Sequence, residues 1–180
     1  MLFRSIVKLN SARLDSITQV AYTGRNANTT SITFDSATAW GAMTVASTGG
    51  NISRNADGTG IGVCSGACVT DAESALNSSK SLSFKLTGGK KADKFALGVL
   101  SLDTTVELSV TFRNNGSDLP LPGGQYVSPL VSVTPGSLRI FPDLMPSPPA
   151  QFDEVVVRPR GTSRFFIASI RFCEVAVACN

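Results

Sequence analysis

The sequence contains no histidine. That absence removes the side chain most often used as base for serine and cysteine nucleophiles, and the commonest nitrogen ligand for transition metals. Lysine can replace it as a base, but Ser79-Lys80 and Ser163-Arg164 read as starts of strands, with no Ser-x-x-Lys arrangement at a strand–helix junction. Carboxylates are scarce as well, with 13 Asp and Glu in 180 residues. Glycoside hydrolysis needs two of them about 5–10 Å apart in a cleft. Asp153 and Glu154 are adjacent at a strand start, where consecutive side chains face opposite sides. The chain reads as non-enzymatic.

Long apolar runs are missing too. No segment approaches the ~20 apolar residues of a membrane span. Arg4 and Lys8 interrupt the apolar N-terminus, which therefore does not read as a secretory signal. Only 16% of residues are charged, where about 25% is usual. The cations behind the net charge of +3 gather loosely, at Lys90, Lys91 and Lys94 and at Arg158, Arg160 and Arg164. A phosphate-tracking surface concentrates more, so nucleic acid is not expected as a partner. Helical periodicity is nearly absent: Thr70 and Glu73 form a capping-box pattern that opens one or two turns over residues 70–77.

What is present is alternation of apolar and polar residues, the mark of half-buried strands. Residues 81–86 place Leu82, Phe84 and Leu86 on one face, and residues 104–112 do so with Val106, Leu108, Val110 and Phe112. Residues 151–157 and 164–172 follow, with weaker strands at 5–9, 16–22, 31–34, 43–47, 94–102, 125–133 and 137–141. Glycine-rich turns separate them, among them Asn115-Gly116, a two-residue hairpin signal because both residues tolerate positive φ. The proline-rich residues 141–149 are excluded from a central strand and read as a surface connection. About ten short strands imply an all-β, two-sheet antiparallel sandwich, jelly-roll-like, in a single domain over residues 1–180.

Four cysteines, Cys64, Cys68, Cys173 and Cys179, favour disulfides and an oxidising compartment over a zinc site. Cys64 and Cys68 can close a small loop. Cys173 and Cys179 would stand roughly 20 Å apart in an extended chain, so they pair only if the chain turns back after Phe172. No cofactor is required by any motif; calcium is the ion the residue types would suit. Asn55, Asp57, Asp71 and Glu73 sit in oxygen-rich loops, with Asp103 and Asp153 at strand ends. The competing role for such residues is to shape turns by bonding their own backbone. Trp40, beside Tyr22 and Tyr126, is the candidate glycan contact, against an ordinary place in the core. Asn28, Asn51, Asn77 and Asn115 head Asn-x-Ser/Thr sequons, the candidate glycosylation positions.

Three stretches resemble a known group. Residues 41–50 and 56–63 are similar to the "GLGV"-type segment of secreted β-sandwich modules in exosortase-anchored (PEP-CTERM-like) bacterial surface proteins. Asp71 to Glu73 and Lys80 to Phe84 resemble the acidic loop and strand that follow there, and residues 152–157 with 164–170 their final hairpin. The resemblance spans residues 34–172 and implies a jelly-roll-like fold with an extracellular structural or adhesive role. The chain departs from it in having no C-terminal anchor helix.

The leading expectation is thus a non-enzymatic extracellular or cell-surface protein, structural or adhesive, a filament or surface-layer subunit. Its partners would be copies of itself or other surface proteins. Leu2, Phe3, Ile6, Val7 and Leu9 form a strand-like arm within residues 1–10 that would add to a neighbour's open sheet edge or complete its own sheet. The alternative is a calcium-assisted carbohydrate-binding module, with glycans as partners.

Overall fold

The computed structural model describes residues 38–40, 43–56, 60–66 and 68–173. The N-terminal arm, the expected strands at 5–9, 16–22 and 31–34, and Asn28, Asp57 and Cys179 lie outside these residues.

In chain order the strands are β1 (Thr38–Trp40), β2 (Met43–Thr48), β3 (Asn51–Arg54) and β4 (Ile61–Cys64), then the single-turn helix α1 (Asp71–Ser74). There follow β5 (Ser81–Leu86), β6 (Lys94–Ser101), β7 (Thr105–Val106), β8 (Leu108–Asn114), β9 (Ser117–Asp118) and β10 (Gln125–Val127). The last are β11 (Val131–Ser132), β12 (Leu138–Leu144), β13 (Glu154–Pro159) and β14 (Phe165–Cys173). Every pairing is antiparallel. The larger sheet is ordered β1-β2-β5-β13-β8-β10, with β9 also on β8; the smaller is β12-β6-β14-β4-β3; β7 and β11 pair separately. The chain crosses repeatedly between the two sheets, as the jelly-roll-like expectation requires.

The sequence alternation explains how the sheets face each other. Val45, Leu82, Phe84, Val110, Phe112, Val155 and Val157 of the larger sheet have no exposed surface, nor do Phe95, Leu97, Val99, Ile167 and Ile170 of the smaller. Phe152 joins the layers, its ring centroid 4.8 Å from Phe112 and 6.2 Å from Phe172. Both aromatic pairs are tilted, the arrangement that ring quadrupoles favour.

Three expectations need correction. Residues 104–112 are not one strand but two, β7 and β8: at the break, the Glu107 N–H donates to Ser163 Oγ (2.9 Å), and the ladder changes partner from β11 to β13 and β10. Residues 125–133 break likewise around Pro129, which has no ladder donor. Strand β14 does not alternate, because Phe165 to Ile170 are all buried. On its outer side Phe166 lies against Gly60 and Gly62, and Gly62 in turn lies under the Ser74 carbonyl, so the α1 segment covers this end of the smaller sheet.

The connections are held by specific bonds. Asn115 (φ 53°) and Gly116 (φ 80°) make the expected tight turn between β8 and β9. Asp153 anchors it: its Oδ1 accepts from Asn115 N–H (3.0 Å) and its own N–H donates to the Arg113 carbonyl (3.0 Å). At the opposite end Asp103 accepts from the Arg164 backbone N–H (2.8 Å) and from its Nη2 (2.7 Å). The Arg164 side-chain hydrogen bonds hold the Asp103 carboxyl below its ordinary value, against the desolvation that raises it.

Truncating Phe152→Ala should cost about 3–5 kcal/mol in urea unfolding; a loss below about 1 kcal/mol would show that the ring does not bridge the sheets. Because the folded Asp103 pKa is depressed, its contribution is present above the unfolded value of about 3.9 and is lost as pH falls through the lower folded value. With Arg164 44% exposed, the effect is at most about 1 kcal/mol. Asp103→Asn should therefore destabilise at pH 6, and by progressively less as the pH falls below about 4. A penalty that does not shrink as the pH is lowered would contradict the ion pair.

Candidate binding face on the larger sheet

Since one set of alternate side chains fills the core, the other set forms the outer face of the larger sheet, and the register aligns it in rows. Thr44, Lys85, Glu154, Arg113 and Asp118 stand opposite one another across five strands. Two residues along each strand, Ala46, Ser83, Val156, Thr111 and Gln125 form a second row. A third holds Thr48 opposite Ser81, and Ser109 between Arg158 and Val127.

The middle row is uncharged, with the small or apolar Ala46 and Val156, hydroxyls on Ser83 and Thr111 and an amide on Gln125. The long side chains of Lys85, Glu154 and Arg113 border it on one side and that of Arg158 on the other. The result is a shallow trough across the strands, about 13 Å between flanking rows and about 19 Å long, from strand rise and spacing. Its wall is fixed by charge. Arg113 Nε donates to Asp118 Oδ1, and its Nη1 lies 3.6 Å from Glu154 Oε1. Those bonds, the Asp118 hydrogen bond foremost, hold the guanidinium above its ordinary value despite partial desolvation. Opposite charges thus alternate along the row, and no net field builds up to attract a polyanion.

A second surface lies on one flank. After β9 the chain passes through β10 on the larger sheet, β11, and β12 on the smaller, then returns so that the Ser147 N–H donates to the Gly123 carbonyl (3.2 Å). Among the described residues, five of the six exposed large apolar side chains fall on this circuit: Leu121, Val127, Leu130, Leu138 and Met145.

The residues singled out in the sequence divide between these places and others. Cys64 and Cys68 are joined in a disulfide. Cys173 is the last residue of β14, and its expected partner Cys179 is outside the described residues. The capping box is present: Glu73 Oε2 accepts from the N–H groups of Val69 (2.8 Å) and Thr70 (2.9 Å) and from the Thr70 hydroxyl (3.0 Å). Asp71 Oδ1 accepts from Ala56 N–H (2.8 Å), and Asn55 Oδ1 from Gly60 N–H (2.9 Å). Three of the four candidate calcium ligands therefore spend oxygens on backbone donors, the turn-shaping role. No group of three or more cysteines and carboxylates among the described residues is placed to hold a metal ion.

Tyr126 does not stand clear as a glycan platform; it is half-buried against the core, opposite Val110. Trp40 pairs with Met43 on the edge strand β1. Asn51 and Asn115 are exposed, while Asn77 is half-buried with its Oδ1 accepting from the Ser79 hydroxyl (2.7 Å). Sequence reading missed Lys80. Its buried ammonium donates to the Glu73 carbonyl (2.7 Å) and the Ala75 carbonyl (3.3 Å), closing the α1 segment, and desolvation lowers its pKa against the pull of Glu73. A lysine at a strand start gives no sequence signal of burial.

No family model matches the chain, and no curated protein matches its sequence. The resemblance to exosortase-anchored surface modules thus gains no support. Among solved structures, the chain is similar to a low-affinity xylan-binding module, CBM86, from the gut symbiont Roseburia intestinalis. The TM-score is 0.33 and the identity 10%, over 88% of this chain and 89% of that one. Likeness at that level leaves the fold to be read from the strands themselves. No helix among the described residues is long and apolar enough to cross a membrane.

Calcium bound at a hundredfold excess over its Kd would add about 2.7 kcal/mol to the folded state. With the loop oxygens already held by N–H groups, melting should be unchanged by millimolar calcium or by EDTA. A calcium-dependent rise in Tm would mean that these loops rearrange to bind the ion.

Proposed function

We propose that this chain is a non-enzymatic extracellular carbohydrate-binding domain, and that the outer trough of the larger sheet holds an extended, uncharged glycan. One observation carries the reading: an uncharged row bearing the hydroxyls of Ser83 and Thr111 and the amide of Gln125 runs across the strands, with Lys85, Glu154 and Arg113 along one side of it and Arg158 on the other. A linear, hydroxyl-rich polymer lying across the sheet would meet donors and acceptors at Ser83, Thr111 and Gln125, with Ala46 and Val156 between and beside them. Arg113 and Glu154, already oriented by each other, supply paired donors and acceptors without the entropy loss of ordering free side chains. A polyanion is disfavoured by Glu154 and Asp118, and a peptide strand would be drawn to an open sheet edge rather than to a sheet's face. No aromatic ring of the described residues lies on the three rows, so binding rests on hydrogen bonds in a wet trough, and weak affinity is expected.

Affinity electrophoresis against a panel of neutral polysaccharides tests this directly. The unaltered protein should be retarded by at least one of them. Ser83→Arg, which fills the trough from its middle row, should weaken retardation at least about tenfold, the equivalent of about 1.4 kcal/mol. Retardation by none, or undiminished retardation of the variant, would sink the proposal.

A further inference from the structure

The flank opposite the β1–β3 side carries a second surface that the glycan reading does not use. Residues 119–149 hold eight of the nine prolines of the chain and two charged residues, Arg139 and Asp143. Leu121 is 75% exposed and Leu130 64%. Exposed apolar residues on a charge-depleted patch are the composition of an interface core, not of an ordinary solvated edge.

The two charges identify what fits there. Arg139 and Asp143 both lie exposed on the edge strand β12, two residues to either side of Phe141. Opposite charges placed symmetrically about one point are complementary to themselves under a two-fold rotation through that point. Such self-complementarity is what an isologous contact requires. We propose that this flank is a self-association surface: a second copy of the chain docks on it about a two-fold axis near Phe141, with Arg139 of each copy against Asp143 of the other.

The contact is made by side chains and not by a continuous sheet. Pro142 offers no N–H, Asp143 is left-handed (φ 50°), and the β12 register slips between Phe141 and Leu144. Within one copy, Lys94 Nζ approaches Asp143 Oδ1 at 3.8 Å and the Arg139 guanidinium lies 5.8 Å from the Phe141 ring centroid. Both charges are thus steadied in place, and Asp143 remains 42% exposed to accept a second cation. Elsewhere the copies carry a net positive charge, so a flank whose few charges, Arg139, Asp143 and the neighbouring Lys94, include both signs is a side on which two copies repel little.

Sedimentation equilibrium of the full chain tests the proposal with two charge reversals. The unaltered protein should dimerise. R139E alone confronts acid with acid across the axis twice, D143R alone base with base, and each should weaken self-association at least about tenfold. An equimolar mixture of the two variants should associate again, because both facing pairs are then of opposite sign. Circular dichroism melting of each variant confirms that it is folded, since both positions are exposed. A monomeric unaltered protein at millimolar concentration, reversals that leave dimerisation intact, or a mixture that stays monomeric would each overturn the inference. None of these results bears on glycan retardation, so the two proposals fail separately.

Discussion

The register of three central strands, β5, β13 and β8, is the constraint on which the rest depends. Side chains along a strand alternate with a period of two, so a slip of one residue would exchange the two faces. Val155 opposite Phe84 and Phe112 puts a buried residue at the centre of the core, and that same pairing sets Val156 between Ser83 and Thr111 outside. Burial of the apolar set against Phe95, Leu97 and Ile170 makes any other register costly. The outer rows need no stabilisation of their own to stay aligned. Their positions follow from the core.

The strands legible in the sequence were those with one wet face. Residues 81–86 alternate because β5 has core on one side and the half-buried Ser83 and exposed Lys85 on the other, and the structure keeps those bounds. The capping box of Thr70 and Glu73 and the Asn115-Gly116 turn were equally visible, since each is specified by residues within four positions of one another. Strands β3 and β4 left no such trace. Ser53, Arg54 and Asn55 are polar yet buried, while Gly60 and Gly62 are there for close approach to Phe166 and the α1 segment, so polarity and exposure part company. Aligned rows could not be read at all, because a row draws single residues from strands as far apart as Thr44 and Glu154.

The two proposed surfaces reflect two ways a sandwich can meet other molecules. The trough is centred on β5, β13 and β8, which are paired on both sides, so there only side chains are offered and the surface is rigid. The flank belongs to short, proline-interrupted edge strands that discourage sheet extension and leave apolar side chains outside. One surface is polar and ordered by charge pairs; the other is nearly uncharged. Partners that suit one are poorly suited to the other.

Cross-strand nuclear Overhauser effects in the protein test the register most directly. Contacts between the backbone protons of Val156 and those of both Ser83 and Thr111 are predicted, together with Glu154 opposite Lys85 and Arg113. Contacts displaced by one residue, pairing Val156 with Leu82 or Phe84, would place the outer rows inside the core and contradict the account.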